Sequence, residues 1–494
     1  MLTRLRISGF KNLVDVNVHF GPFTCIAGAN GVGKSNLFDV IGFLSALADK
    51  PLIEAAMSVR NEGGRTGDIR SLFHRVGEQY DSVMEFDIEM IVPKEGFDDL
   101  GQRAKASQTF LRYQLTLAYR ADEPSSPGGL EITREDLSYV KRGDTRQHLG
   151  FEKSKEWVDS VVTGARRAPF ISTADEPEGT VIRVHQDGGS SGKPQSLLAK
   201  TLPRTALSAA NAAESPTATL ARREMQSWKL LQLEPSALRE PDRLTAPRTL
   251  AANGSHLPAT LYHLAMSAAR NGGENGHAKE TQEAGAKRVY AEIAGRLSGL
   301  IDDVRDVYIE RDDRRDLLTL MVKVADQTIH PARSLSDGTL RFLGLAVLEL
   351  DPQAQGVICL EEPENGIHPQ RIPAMLDLLQ EIVTDSKSPV GEGNPLRQVI
   401  VNTHSPAVVA QVPEDALLFA DLRETVRDRQ RFKALSISAF KDTWRAEQGG
   451  EVRFVAPGML GPYLNPAPAD HPSSRRRVAD REDLQPFLPF SESA

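Results

Sequence analysis

Gly28-Ala29-Asn30-Gly31-Val32-Gly33-Lys34-Ser35 reads G-x-x-x-x-G-K-S, the phosphate-cradling P-loop pattern. The flanks fit it. Phe23-Thr24-Cys25-Ile26-Ala27 is a short apolar run of the kind that forms a buried strand. Asn36 to Leu44 then places apolar residues at helical spacing. Glycines between the two let successive backbone N–H groups turn toward one point. The helix N-terminus adds partial positive charge at the same place. On this reading Gly28, Asn30, Gly31, Val32, Gly33, Lys34, Ser35 and Asn36 form a cradle for the phosphates of a nucleoside triphosphate. Lys34 reaches the β- and γ-phosphates, and the Ser35 hydroxyl binds Mg²⁺.

The 494 residues suffice for two to four structural units. With 40% hydrophobic and 26% charged residues, the chain has the make-up of a soluble protein. No apolar run reaches the ~18 residues of a membrane span, and the start lacks a signal-peptide core, so a cytoplasmic location is expected. The net charge of −8 argues against a generally basic nucleic-acid coat protein, while leaving room for a local basic groove. Cys25 and Cys359, the only cysteines, each lie in a strand-like run and are expected as buried, reduced thiols.

Residues 2–20 alternate as a β-hairpin turning at Gly9-Phe10-Lys11-Asn12. Strands follow at 82–92 and 110–119, giving a first lobe (1–120) expected as a mixed sheet around the P-loop. Residues 121–204 read as a turn-rich, β-containing elaboration, with turns at 124–129 and 188–192. Residues 205–300 read as a helical subdomain, with an exposed linker at 271–279 and no sustained heptad pattern. Residues 301–445 form a second lobe, opening on strands at 304–308 and 317–324. Beyond 446, Pro, Gly and charge, including Arg475-Arg476-Arg477, suggest a loosely packed tail.

The second lobe holds three chemical signals. Gly356-Val357-Ile358-Cys359-Leu360-Glu361-Glu362-Pro363-Glu364 is an apolar strand running into acids. In open α/β sheets, ligands sit beyond the carboxyl ends of strands. There Glu361 suits a Mg²⁺ ligand and Glu362 a general base for water. Ser334-Leu335-Ser336-Asp337-Gly338 precedes an apolar helix, a second phosphate-ready N-terminus as well as an ordinary cap. Gln398-Val399-Ile400-Val401-Asn402-Thr403-His404-Ser405-Pro406 is a buried strand ending in a histidine.

P-loop, L-S-D-G helix start, E-E-P-E strand and T-H-S-P strand end, in this order, resemble the ABC-type ATPases of the SMC/RecF/OLD group. Glu361 to Pro369, Thr403 to Pro406 and Trp228 to Arg239 look most like the prokaryotic RecF-like and OLD-like members. The resemblance implies a two-lobed α/β P-loop ATPase head, with an inserted β-rich elaboration, a helical subdomain and no long coiled coil. It further implies two heads closing on two ATP molecules. Ser336, Asp337 and Gly338 of one copy then meet the γ-phosphate held by Lys34 of the other. Asn365 and Gly366 lie near that seam, and His404 contacts the γ-phosphate. The position of a Mg²⁺-sensing glutamine is open between Gln226 and Gln232. Asp337 stands where relatives often have a second glycine, and Glu361 where many have Asp, which leaves the hydrolysis rate open.

The stretch after His404 lacks an acid-tipped strand set for a nuclease. The leading expectation is a slow ATPase and homodimeric switch, or a higher oligomer, acting on a separate effector encoded nearby in anti-phage defence, with no membrane role. A RecF-like DNA-binding repair ATPase and an ATP-gated scaffold with little turnover are the alternatives.

Overall fold

A computed structural model describes residues 1–59, 68–121, 128–164, 166, 168–187, 192–271, 278–301, 303–427, 429–448 and 453–464. The linker expected at 271–279, the turns at 124–129 and 188–192, and the tail with Arg475–Arg477 lie wholly or mainly outside these residues.

Two large sheets organise the chain. The first has eight antiparallel strands in the order Gln195–Leu198, Gly179–Val184, Ile171–Glu176, Gly129–Tyr139, Phe110–Arg120, Val83–Ile91, Leu2–Ser8, Val16–His19. The predicted hairpin is its edge, with Leu5 facing Val18 across the pair. The strands at 129–139, 171–176, 179–184 and 195–198 continue this sheet rather than decorating it. Leu5, Ile7, Phe86, Ile88, Tyr113 and Leu115 share one buried face.

The second sheet has seven strands: Lys229–Leu231, Gly356–Glu361, Arg397–Thr403, Phe23–Ala27, Leu417–Arg427, Gln430–Ala439, Arg453–Phe454. The first five are mutually parallel. The apolar runs of the three central ones, Gly356–Glu361, Arg397–Thr403 and Phe23–Ala27, are buried on both faces, as parallel strands require. Val357 and Cys359 join one core, and Ile358 and Leu360 join the other. The P-loop strand therefore belongs here, and not to a mixed N-terminal sheet as expected from its neighbours in sequence. It sits between strands hundreds of residues away. The helix Lys34–Leu47 lies between the two sheets and buries Leu37, Phe38, Ile41, Phe43 and Leu44 in the core they share.

On the other face of the parallel sheet pack the helices Leu257–Asn271, Ala278–Ser298, Asp337–Leu350 and Ile372–Ile382. The strands Val304–Asp312 and Leu317–Val324, read as strands of the second lobe, pair in a small antiparallel sheet of their own with Asp242–Arg243 and Ile329–Pro331. Cys25 and Cys359 are buried free thiols, as expected.

Within the stretch expected as a loosely packed tail, residues 453–464 pack on the second sheet. Arg453–Phe454 pairs with Gln430–Ala439, and the helix Pro457–Leu464 puts the Tyr463 ring 5.4 Å from that of Phe419.

Candidate functional site

The register of the parallel strands brings the P-loop, the acid-tipped strand and the strand that ends before His404 to one edge. Glu361 lies beside Asn402, and Thr403 beside Ala27, the last residue before the P-loop. A cavity of about 660 Å³ opens there, lined by Asn30, Gly31, Gly33, Lys34, Ser35 and Asn36, by Glu361, Glu362 and Asn365, and by Gln232 and Arg341. Its size is that of a small-molecule site, about 300–1,000 Å³.

The cradle is braced from the hairpin turn. The Asn12 side chain donates to the Val32 carbonyl (2.9 Å) and accepts from the Asn36 amide (2.8 Å). Lys11 pairs with Asp39 on the P-loop helix at 2.8 Å. Gly33 has φ +103°, and a Cβ there would lie 2.2 Å from the Asn12 amide nitrogen. Only glycine fits that brace. Lys34 Nζ is buried and donates to the Gly28 (2.7 Å) and Ala29 (2.9 Å) carbonyls. Burial lowers its pKa, against the opposing pull of Glu362, Glu364 and Glu361.

Glu362 is held on two sides. Its Oε1 lies 2.6 Å from His404 Nδ1, and its Oε2 accepts from the Asn365 amide at 2.8 Å. Its backbone has φ +46°, rare for a side-chain-bearing residue, and its N–H donates to the Asn402 carbonyl at 3.0 Å. Such a carboxylate is fixed in orientation as a general base must be. His404 does not line the cavity; the structure places it against Glu362. Behind them Thr403 Oγ1 donates to the buried Glu364 carboxylate, whose pKa is raised by burial.

Ser336 caps the helix Asp337–Leu350, accepting from the Thr339 N–H at 3.3 Å. Ser336, Asp337 and Gly338 are absent from the cavity wall of their own chain. The turn is nevertheless tied to the site. Arg239 donates to the Leu335 carbonyl (3.1 Å) and to Asp337 (2.5 Å). Arg341 donates to the carbonyls of Leu233 and Asn365. A Cβ on Gly338 would lie 2.2 Å from the Gly366 carbonyl oxygen, so the helix start packs directly on the loop after Glu362.

Asn12, Arg239 and Arg341 were not singled out as site residues from sequence, although the Gly9–Asn12 turn and the segment around Arg239 were noted. Of the two glutamines, Gln232 lines the cavity, whereas the Gln226 side chain donates to the Ala48 carbonyl elsewhere. Ser35 and Glu361, the two oxygen donors assigned to Mg²⁺, line the same cavity. A hydroxyl and a carboxylate, completed by phosphate oxygens, suit that hard cation.

Strand, glycine loop and helix, facing an acid-tipped parallel strand, define a P-loop ATPase head. The chain belongs to the family described as "AAA domain, putative AbiEii toxin, Type IV TA system", whose model matches residues 23–136 and 219–410, more than half of it. Solved structures similar to it include an SMC head bound to the C-terminal winged-helix domain of ScpA, at 13% identity over 89% of this chain and 98% of that one, TM-score 0.42. Two others are an SMC head with an extended coiled coil bound to the C-terminal domain of ScpA from Pyrococcus furiosus (12% identity, 89% and 96% coverage, TM-score 0.40) and the SMC head domain from Thermotoga maritima (12%, 89% and 98%, 0.34). No curated protein matches the chain.

Proposed function

We propose that the chain binds ATP with Mg²⁺, closes on it as a homodimer and hydrolyses it slowly. In doing so it switches a separate effector in prokaryotic anti-phage defence. The observation that carries this reading is the split of the site. The cradle, Glu361 and Glu362 line one cavity, while Ser336–Gly338 stands outside it, with the Asp337 side chain 58% exposed. A second copy placed against that turn completes the charge neutralisation that phosphoryl transfer needs.

ATP is the phosphoryl donor; Ser35 and Glu361 would hold Mg²⁺, which would neutralise charge on its phosphates. Lys34 trades its Gly28 and Ala29 carbonyls for phosphate oxygens. Glu362, oriented by His404 and Asn365, takes the proton of the attacking water. The family's description, a toxin of a toxin–antitoxin system, supports a role beside a second protein.

The test is Glu362→Gln, an isostere without basicity. Hydrolysis is expected to fall at least ~100-fold, the scale of a lost general base, while ATP-dependent dimers persist in size-exclusion chromatography with light scattering. Hydrolysis at the native rate overturns the role of Glu362. A chain that stays monomeric with ATP overturns the switch. Co-purification with the products of adjacent genes identifies the effector.

A further inference from the structure

The hairpin that leads into the P-loop strand closes a second cavity, of about 350 Å³, that shares no residue with the first. Its wall carries Arg4, Arg6, His19, Arg445 and Arg453, with Asp15 as its single acid among the described residues. Two of the arginines are neutralised: Arg4 by Glu89 at 3.1 Å, and Arg6 by Asp15 at 3.2 Å. The other two are not. Arg445 is 2% exposed, and its guanidinium donates only to neutral acceptors, the carbonyls of His19 (2.9 Å) and Asp415 and the Thr24 hydroxyl (3.2 Å). Arg453 donates to the Ser436 hydroxyl at 3.0 Å. Among the described residues, neither has a carboxylate within ion-pair distance. His19 is 8% exposed, and both of its ring nitrogens lack a hydrogen-bond partner.

Each feature is unfavourable alone. A buried guanidinium that lies over the Trp444 ring (4.2 Å) and feels the Asp415 charge only from beyond ion-pair distance still carries an unrelieved part of its desolvation cost. A buried imidazole with no partner forfeits its hydrogen bonds to water. One anion between them relieves both. We propose that this cavity binds the phosphoryl group of a small phosphorylated molecule. Phosphate offers three acceptor oxygens, enough for two guanidinium forks and an imidazole N–H at once, and arginine forks match it in bidentate fashion. The volume lies at the low end for small-molecule sites, and Val18 and Ile437 on the same wall can cover an apolar part of the ligand. The depth of His19 and Arg445 puts these donors below the reach of a duplex backbone. Through the Arg445–Thr24 bond, the ligand would sit against the start of the P-loop strand.

The test uses the full chain carrying Lys34→Ala, which silences the P-loop as a competing phosphate site. Isothermal titration with inorganic phosphate, ribose 5-phosphate and ribose is compared in this background and with Arg453→Gln or His19→Phe added. Saturable binding of a phosphate-bearing ligand, none of ribose, and at least tenfold weaker binding in both variants is expected. Equal affinity for the two phosphates identifies free phosphate as the ligand, and a preference for ribose 5-phosphate identifies a phosphorylated molecule. Arg445 is left in place because it holds the hairpin to Thr24 and Asp415. Unchanged melting of the variants in phosphate-free buffer shows that they fold. Absence of saturable binding at millimolar phosphate, or undiminished binding in both variants, overturns the proposal.

Discussion

His19 shows how a single side chain reports its surroundings. Burial, and next the nearby Arg4 charge, push its imidazole down to about 4 from 6.5; Arg445 and His148 add to this, and Glu89 opposes it. The unfolded chain therefore binds a proton between those pH values that the folded chain refuses. Stability conferred by the neutral ring is complete above pH 6.5 and is lost as pH falls toward 4, by up to roughly 3 kcal/mol at about 1.4 kcal/mol per pH unit. His19→Phe keeps the bulk and removes the titration. Urea unfolding in phosphate-free buffer, at pH 7 and pH 5, is expected to show a smaller loss of stability on acidification in the variant than in the native chain. Equal losses would show that the ring titrates normally. Residues like this were not legible beforehand. A histidine at the end of an alternating strand reads as any edge residue, because desolvation depends on which sheet packs over it. The P-loop and the acid pair were legible, since their chemistry sits at fixed offsets from strand ends; His404 was legible as a strand-end group, but its place against Glu362 and off the cavity wall was not.

At the level of elements, the site is held by contacts between turns. The helix that begins at Asp337 and the loop after Glu362 meet backbone to backbone at Gly338 and Gly366. That loop carries Asn365, which holds one oxygen of Glu362. Gly338→Ala forces the two backbones apart and is expected to cost about 2 kcal/mol or more, the scale of overpacking in a close-packed region. Hydrolysis should fall with it, because the shift reaches Glu362 through Asn365. Thermal melting and ATPase assays on the variant check both effects; a native melting temperature with native turnover would mean that the contact yields freely. The strand and helix types along the chain were readable from period and composition. Their partition among sheets was not. An alternating strand declares one buried face without naming its partners. The P-loop strand, next to the hairpin in sequence, pairs instead with Arg397–Thr403 and Leu417–Arg427. The residues past 446 misled for a related reason. Pro and Gly lower local propensity, yet among the described residues Arg453–Phe454 is held by sheet pairing and Tyr463 by its contact with Phe419.

For the whole molecule, the decisive question is whether one chain holds a complete site. Ser336–Gly338 is not part of the wall of its own cavity, and the same helix start is anchored by Arg239 and Arg341. Anchoring an exposed turn so firmly makes sense where the turn must present a fixed shape to a partner. In a two-fold dimer each cavity is then completed by the other copy's turn, since an isologous contact repeats itself. Two inactive variants should therefore complement. Lys34→Ala removes the cradle and keeps the turn. Ser336→Arg blocks the turn and keeps the cradle; its own fold loses only a cap, about 1 kcal/mol. Each alone is expected to show no turnover. Mixed in equal amounts, half of the random dimers pair one of each, and each such dimer has one intact site of two. The mixture should recover up to about a quarter of the native rate in a two-fold assembly, growing with protein concentration as dimers form. A mixture no more active than its parents would place the complete site within one chain, and the exposed Ser336 turn would then serve the fold alone.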